Sequence, residues 1–258
     1  DNYVPKPVTP QELKTSIENI TKNLYLKRMT RKMKEEGKQV RFQFLSVLSH
    51  ELKSPINAIE GYLKIMKDKQ VGDNIEDYME MIDRSVERIK GMRSLILDLL
   101  DLTRMESGKK NRDIRVIDIV EIAKHVKDSI EPLAIQKNIK LDLIYDDSVF
   151  LNADKSEIEI VLNNLISNAV KYNVENGKVD IKISETDKKL IISIKDTGIG
   201  MSKDEVALLF QDFVRIKNQK TKYVTGSGLG LSIAKKMIEL YNGNIQVQSE
   251  PDKGSVFT

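Results

Sequence analysis

Phe44-Leu45-Ser46-Val47-Leu48-Ser49-His50-Glu51-Leu52-Lys53-Ser54-Pro55-Ile56-Asn57 lies inside a long amphipathic run. Apolar residues recur at Val40, Phe44, Val47 and Leu48, Leu52, Ile56, Ile59, Leu63 and Met66, the three-and-four spacing of a helical stripe turned to a core. His50, one of only 2 histidines, falls between stripe positions. The helix therefore carries an imidazole on its solvent side, with Glu51 beside it and Ser54 one turn on. A rigid helix that offers an imidazole to a second domain suits a phosphate acceptor. An ordinary surface histidine is the plainer reading of these residues taken alone. Pro55 removes one backbone hydrogen bond just beyond His50, so a bend is expected there.

Working outward, Val71-Gly72-Asp73-Asn74 breaks the first helix near Lys69. A second helix is expected to about Ser107, on Ile75, Tyr78, Ile82, Val86, Ile89, Met92/Arg93, Ile96, Leu99/Leu100 and Thr103, with Gly108 as its C-cap. A lone antiparallel hairpin cannot bury its stripe on both sides. Two copies can, as a four-helix bundle, so burial alone predicts a homodimer.

Upstream, Lys27, Arg28, Arg31, Lys32, Lys34, Glu35, Glu36, Lys38 and Arg41 surround Leu26, Met29, Met33 and Val40. This reads as a heptad-like signalling helix over 25–43 with a solvated face; interleaved acids and the lack of aromatics between Lys27 and Arg41 argue against nucleic acid. Residues 1–24 carry three prolines, with Thr9 as N-cap and Pro10 at the first helical position. They read as a linker feeding a helix, or, on Tyr3-Val4-Pro5-Lys6-Pro7-Val8-Thr9-Pro10, as resembling the end of a response-regulator receiver domain with Lys6 as its lysine. The chain starts without Met and stops at Thr258 in mid-strand, so a piece of a longer protein is expected.

The 258 residues, 40% hydrophobic and 31% charged, allow about two domains with a very polar surface. The 42 basic and 39 acidic residues nearly balance, which gives no general attraction to nucleic acid or membranes. There is no Cys, which excludes disulfides and thiolate metal sites and permits a reducing compartment. No apolar run approaches the roughly 20 residues of a membrane span, and a cytoplasmic location is expected.

From Lys109 the character changes. A polar hinge at 109–113 precedes a possible strand at Ile114–Val116, a helix capped by Asp118 to about Lys137, and a strand at Ile139–Tyr145. Asp154 caps a helix from Lys155 to Tyr172. Lys178–Ser184 and Lys189–Lys195 flank a turn. A long loop leads to a helix from Gly228 to Tyr241, and Asn244–Ser249 and Ser255 onward read as strands. The fold class is therefore α+β, a helical hairpin followed by an α/β sandwich. No dinucleotide fingerprint or P-loop is present. His125 is assigned no role.

Four clusters in this second part bear chemistry. Asn163, Asn164, Asn168 and Lys171 share one helix; Asn164 and Asn168, four apart, share a face. Amide oxygens suit hard Mg²⁺, and a lysine one turn on suits phosphate. A merely solvated face is the alternative, which asparagine serves poorly. Asp196-Thr197-Gly198-Ile199-Gly200 closes a strand with a carboxylate able to accept from an exocyclic amine. Phe210-Gln211-Asp212-Phe213-Val214-Arg215 opens a basic segment with Lys217, Lys220 and Lys222. Gly226-Ser227-Gly228-Leu229-Gly230-Leu231 opens a helix whose amides can cradle phosphate.

The Phe44–Asn57 stretch resembles the phospho-acceptor box of sensor histidine kinases, and the four clusters follow in the order of that family's ATP domain. The resemblance covers 44–258. It implies a dimerisation and phosphotransfer domain at 44–108 and a catalytic ATP-binding domain at 109–258. The latter resembles the Bergerat fold shared with the heat-shock-90, type II topoisomerase and mismatch-repair ATPases. It further implies autophosphorylation of His50 by ATP, with Glu51 holding the proton of the other ring nitrogen, and transfer to an aspartate of a response-regulator receiver. Asn164 and Asn168 resemble the Mg²⁺ and phosphate residues, Lys171 and Tyr172 nucleotide contacts, and Asp196 the adenine-reading carboxylate. Gly198 and Gly200 resemble the start of a lid, Gly226, Gly228, Gly230 and Leu231 its end, and Phe210, Phe213 and Arg215 its residues, with Arg215 toward the γ-phosphate. Ser54 stands where relatives commonly carry Thr or Asn to orient water for phosphatase action. The competing readings are a Bergerat ATPase without phosphohistidine and a dimeric pseudokinase scaffold.

Overall fold

The computed structural model describes residues 48–106, 112–186, 189–216, 218–221, 224 and 226–258. The expected tail at 1–24, the signalling helix at 25–43 and the Gly108 cap lie outside them. The described chain falls into two compact units, one ending at Ser85 and one from Val86 to Thr258.

In the first unit, helix α1 runs through residue 67 without interruption at Pro55. Lys69 turns to φ 50° and the amide of Gln70 donates to the Ile65 carbonyl at 3.1 Å, which ends the helix slightly before Lys69. A 3₁₀ turn, Ile75–Tyr78, then leads into α2, Met79–Glu106. Tyr78 pins this turn: its hydroxyl donates to the Gly72 carbonyl at 2.6 Å and accepts from the Gly72 amide at 3.1 Å. A phenol so partnered can be buried at little cost, and Tyr78 is.

Along α2, Met79, Val86, Ile89, Ile96 and Leu100 remain exposed. Their spacing matches the a and d positions of a heptad, so this seam is left open in the single chain.

The second unit is a five-stranded sheet beside a two-stranded one. In chain order it contains β1 (Ile114–Asp118), α3 (Ile119–Gln136), β2 (Lys140–Tyr145), β3 (Phe150–Asp154), α4 (Lys155–Lys171), β4 (Lys178–Thr186), β5 (Lys189–Asp196), α5 (Lys203–Leu208), α6 (Gly230–Leu240), β6 (Val247–Glu250) and β7 (Gly254–Phe257). The large sheet has the order β2-β4-β5-β7-β6, with β2 and β4 parallel and the other pairs antiparallel; β1 pairs with β3.

Alternation decides which side of the sheet is covered. Val179, Ile181 and Ile183 of β4 and Ile194 of β5 are fully or almost fully buried, against Leu162, Ile166 and Val170 of α4. Each such side chain contributes roughly 1.5–3 kcal/mol by burial. Asp118 caps α3 by accepting from the Val120 amide, and Asp154 caps α4 by accepting from the Ser156 amide, both as expected.

Other expectations need correction. The last helix begins at Gly230 rather than Gly228, and β6 begins at Val247 rather than Asn244. Strand β3 was not expected: five residues with weak alternation gave no period, and pairing with β1 makes the strand. Helix α5 sits in the expected long loop, started by a capping box of Ser202 and Glu205.

An ionic node on the buried Glu157 joins the residues just before β1 to two helices of this unit. Arg112 forks onto Glu157 of α4 at 2.7–3.1 Å, and its guanidinium lies 4.7 Å from the ring centre of Tyr241, the C-cap of α6. The Tyr241 hydroxyl donates to Glu157 at 2.5 Å. The Glu157 side chain is only 6% exposed, so removing Arg112 takes the cation and its forked hydrogen bonds from a buried carboxylate that keeps the Tyr241 hydroxyl. Arg112→Ala is expected to lower unfolding free energy by about 2–4 kcal/mol in a denaturant titration. A loss below about 0.5 kcal/mol would show that the pair is ornamental.

Candidate active site

One cavity gathers residues from α2, α4, the β5 end, the loop after α5 and the start of α6. Helix α4 turns its apolar side to the sheet, which leaves Asn164, Asn168 and Lys171 half-buried on the opposite side and lining the cavity with Asn163 and Tyr172. The Asn164 amide nitrogen donates to the Ile160 carbonyl at 3.0 Å, which commits that end of the side chain and leaves the amide oxygen to the cavity side. That oxygen faces Gly230: a Cβ there would come within 2.3 Å of it. A side chain at 230 would push the Asn164 amide from its present place.

Asp196 is the last residue of β5. Strand alternation turns it to the same inner side as Ile194, but at the sheet's end, where the cavity begins. One carboxylate oxygen accepts from the Gly198 amide at 2.8 Å and the Ser255 amide at 3.2 Å. Burial holds the carboxyl above the usual carboxylate range, against the lowering effect of those two amides. Gly198 thus touches the site through its amide and does not itself line the cavity. Gly200 does line it, at φ 60° and packed against the Glu250 carbonyl, a place no side chain can occupy.

Of the expected lid residues, Arg215 lines the cavity and donates to the Val224 carbonyl at 2.6 Å. Phe210 and Phe213 do not line it. Phe210 lies under the Lys235 ammonium, and Phe213, at φ 63°, donates its amide to the Gly228 carbonyl at 3.1 Å. Gly226, Gly228, Gly230 and Leu231 all line the cavity.

Burial lowers the Lys171 pKa and raises that of Tyr172. The Lys137 ammonium, from the C-cap of α3, donates to the Lys171 carbonyl at 2.7 Å and so steadies the end of α4. The amide oxygens of Asn164 and Asn168 fit a hard divalent cation by donor type, and no cluster of three acidic, histidine or cysteine side chains competes for one among the described residues. His50 and Ser54 are exposed on α1 and Glu51 is half-buried there, all in the first unit.

The sequence reading missed Ser94 and Asp98 of α2, Ser255 of β7, and Asn218 and Thr221 of the lid segment, all of which line the cavity. Ser94 and Asp98 are four apart, so a shared polar face on a stem helix was a readable signal.

Comparison with known proteins agrees with this geometry. Residues 40–108 match the His Kinase A (phospho-acceptor) domain, and residues 153–258 match the histidine kinase-, DNA gyrase B- and HSP90-like ATPase family. The sensor protein GacS of Pseudomonas syringae pv. syringae is 32% identical over 96% of this chain, and sensor histidine kinase RcsC of Escherichia coli K12 is 32% identical over 87%. The chain spans 27% and 23% of their lengths, about a quarter in each case. Among solved structures, the Acinetobacter baumannii histidine kinase AdeS shares the fold with a TM-score of 0.64 at 24% identity, covering 81% of this chain and 94% of that one. Histidine kinase ThkA, solved in complex with response regulator protein TrrA, superposes with a TM-score of 0.63 at 25% identity over 83% of this chain and 59% of its own. With an acceptor-domain match over the helical hairpin and an ATPase-domain match over the sandwich, the chain belongs to the sensor histidine kinases and carries their catalytic core.

Proposed function

We propose that this chain transfers the γ-phosphoryl group of ATP to His50 and then passes it to an aspartate of a response-regulator receiver. The observation that carries the reading is convergence: clusters far apart in sequence, Asn164/Asn168/Lys171, Asp196 and Gly226–Gly230, line one cavity. Asp196 accepts from the adenine amine through its uncommitted oxygen. Lys171 and Arg215 face the phosphates, and the amides at the start of α6 receive them. Asn164 and Asn168 would hold Mg²⁺, which when bound neutralises phosphate charge as the phosphoryl group leaves. An unprotonated nitrogen of His50 attacks, and Glu51 holds the proton on the other nitrogen.

The proposed domains are a phosphotransfer domain at 44–108 and an ATP-binding domain at 109–258. The open heptad seam on α2 supports a homodimer through a four-helix bundle. The ThkA–TrrA complex supports a receiver as partner. No described helix is long and apolar enough to cross a membrane. Use of ATP favours the cytoplasm for this core, and the lack of Cys permits it.

Incubation with γ-labelled ATP and Mg²⁺ should place acid-labile, base-stable phosphate on the protein. ATP turnover with no protein phosphate would instead identify a clamp-type ATPase. Ser54 keeps a hydroxyl one turn beyond the acceptor. Ser54→Ala is expected to leave autophosphorylation intact and to slow dephosphorylation of the receiver about tenfold, the worth of one hydrogen bond near 1.4 kcal/mol. Unchanged dephosphorylation would remove that role.

A further inference from the structure

One charged group in the cavity has no part in the scheme above. Asp98 comes from the stem helix α2, yet it lines the cavity beside the glycine-rich turn. The Ser227 hydroxyl donates to its carboxylate. The same Ser227 oxygen accepts from the Leu229 amide at 3.1 Å, at the threshold of α6. Lys171, which lines the same cavity, is near enough to favour the Asp98 charge without an ion pair between them, and Asp101, one turn along α2, opposes it. Asp98 thus sits among the groups assigned to phosphate: a lysine and the polar start of a glycine-led helix.

We propose that Asp98 is an anionic occupant of the phosphate end of the nucleotide site, a stem carboxylate that the triphosphate must displace from Ser227. The proposal rests on the reading of this cavity as an ATP site. Displacement is what couples the two functions of the chain. With no nucleotide, the carboxylate ties α2 to the glycine-rich turn. With nucleotide, phosphate oxygens take the same partners and the tie is lost. Burial raises the Asp98 pKa against the lowering effect of the Ser227 hydrogen bond, so the carboxylate is held there at a desolvation cost. Ser94, one turn earlier on the same side of α2, also lines the cavity, so the stem helix supplies part of the wall rather than a single stray side chain.

The test compares the whole chain with its Asp98→Asn variant, an isosteric change that removes the charge. ATP with Mg²⁺, ADP with Mg²⁺ and adenosine are titrated against each protein. The variant should bind ATP about tenfold more tightly and ADP more tightly by a smaller factor, with adenosine unchanged. Unchanged adenosine affinity also shows that the variant's pocket is intact. Equal or weaker ATP binding by the variant, with adenosine unchanged, overturns the proposal alone and makes Asp98 neutral or a contributor to binding. Weaker adenosine binding by the variant also overturns it, because Asp98 then supports the pocket's shape. Failure of the unaltered chain to bind ATP at all overturns the nucleotide site itself and this proposal with it.

Discussion

His50→Gln is expected to abolish acid-labile phosphate on the protein while leaving ATP affinity and thermal stability unchanged. Glutamine keeps a polar side chain of helical propensity similar to or better than that of histidine, so α1 loses nothing by the exchange. His50 is exposed, and substitutions at such positions shift stability by about 0.5 kcal/mol or less. The chemistry is another matter. An amide nitrogen has its lone pair delocalised into the carbonyl and is no nucleophile, whereas an unprotonated imidazole nitrogen is. Incorporation of labelled phosphate should fall by at least ~10³-fold, to background, in keeping with removal of the attacking atom. Label that persists in the variant, stable in base and lost in acid, would mean that another side-chain nitrogen, of a histidine or a lysine, accepts the phosphoryl group. The other histidine, His125, lies exposed on α3 of the ATP-binding unit.

Asp196→Asn should weaken ATP binding about a hundredfold with little effect on folding. The asparagine oxygen can keep both backbone partners, the amides of Gly198 and Ser255. Its other atom becomes an NH₂ group and turns a donor toward the adenine amine, itself a donor. Losing a charge-assisted bond and facing two donors together costs on the order of 3 kcal/mol. A guanine base presents a carbonyl at that position, so the same variant should bind GTP better relative to ATP than the unaltered chain does. Titration of both nucleotides against both proteins checks this; equal ATP affinity in the variant rejects Asp196 as the base reader.

Asp196 also sets a pH dependence with two opposite signs. Its folded pKa lies above the usual carboxylate value near ~3.9, so the folded chain holds this proton more tightly than the unfolded chain. Its contribution to stability is therefore greatest below the ordinary value and declines as pH rises through the raised one. Base recognition needs the ionised form and runs the other way, falling as pH drops through the raised value. Asparagine at 196 removes both trends, which separates them from the titration of the phosphates.

Legibility of the fold from sequence followed the range of the forces involved. Asp118 and Asp154 cap helices through bonds two residues away, and such local chemistry is readable. The inner faces of β4 and β5 were readable because alternation is a property of each strand alone. Strand β3 was not, since only β1, far away in sequence, makes it a strand. The site shows the same division. Asn164, Asn168, Lys171 and the Gly226–Gly230 turn announced themselves by composition at a helix face or a helix start. Ser255 gives an amide, which every residue but proline has, so no side-chain signal marked it. Asp98 belongs to a helix whose pattern speaks for pairing with other helices, and only the folded chain brings it to Ser227. Phe210 and Phe213 were placed on the lid by resemblance; Phe210 lies instead against Lys235 of α6, and Phe213 reaches the Gly228 carbonyl through its backbone amide.

The place of β7 in the large sheet has a consequence for synthesis. This strand inserts between β5 and β6, although it is made after both. It brings the Ser255 amide that fixes Asp196 and the Gly254 backbone that packs on the Asp196 carbonyl. A nascent chain can collapse α3 and α4 onto β2, β4 and β5 while still on the ribosome, as domains do during translation. Its adenine end stays unfinished until Phe257 has cleared the exit tunnel, so a truncated product stopping at Glu250 would keep the phosphate end of the cavity and lack the wall that fixes Asp196.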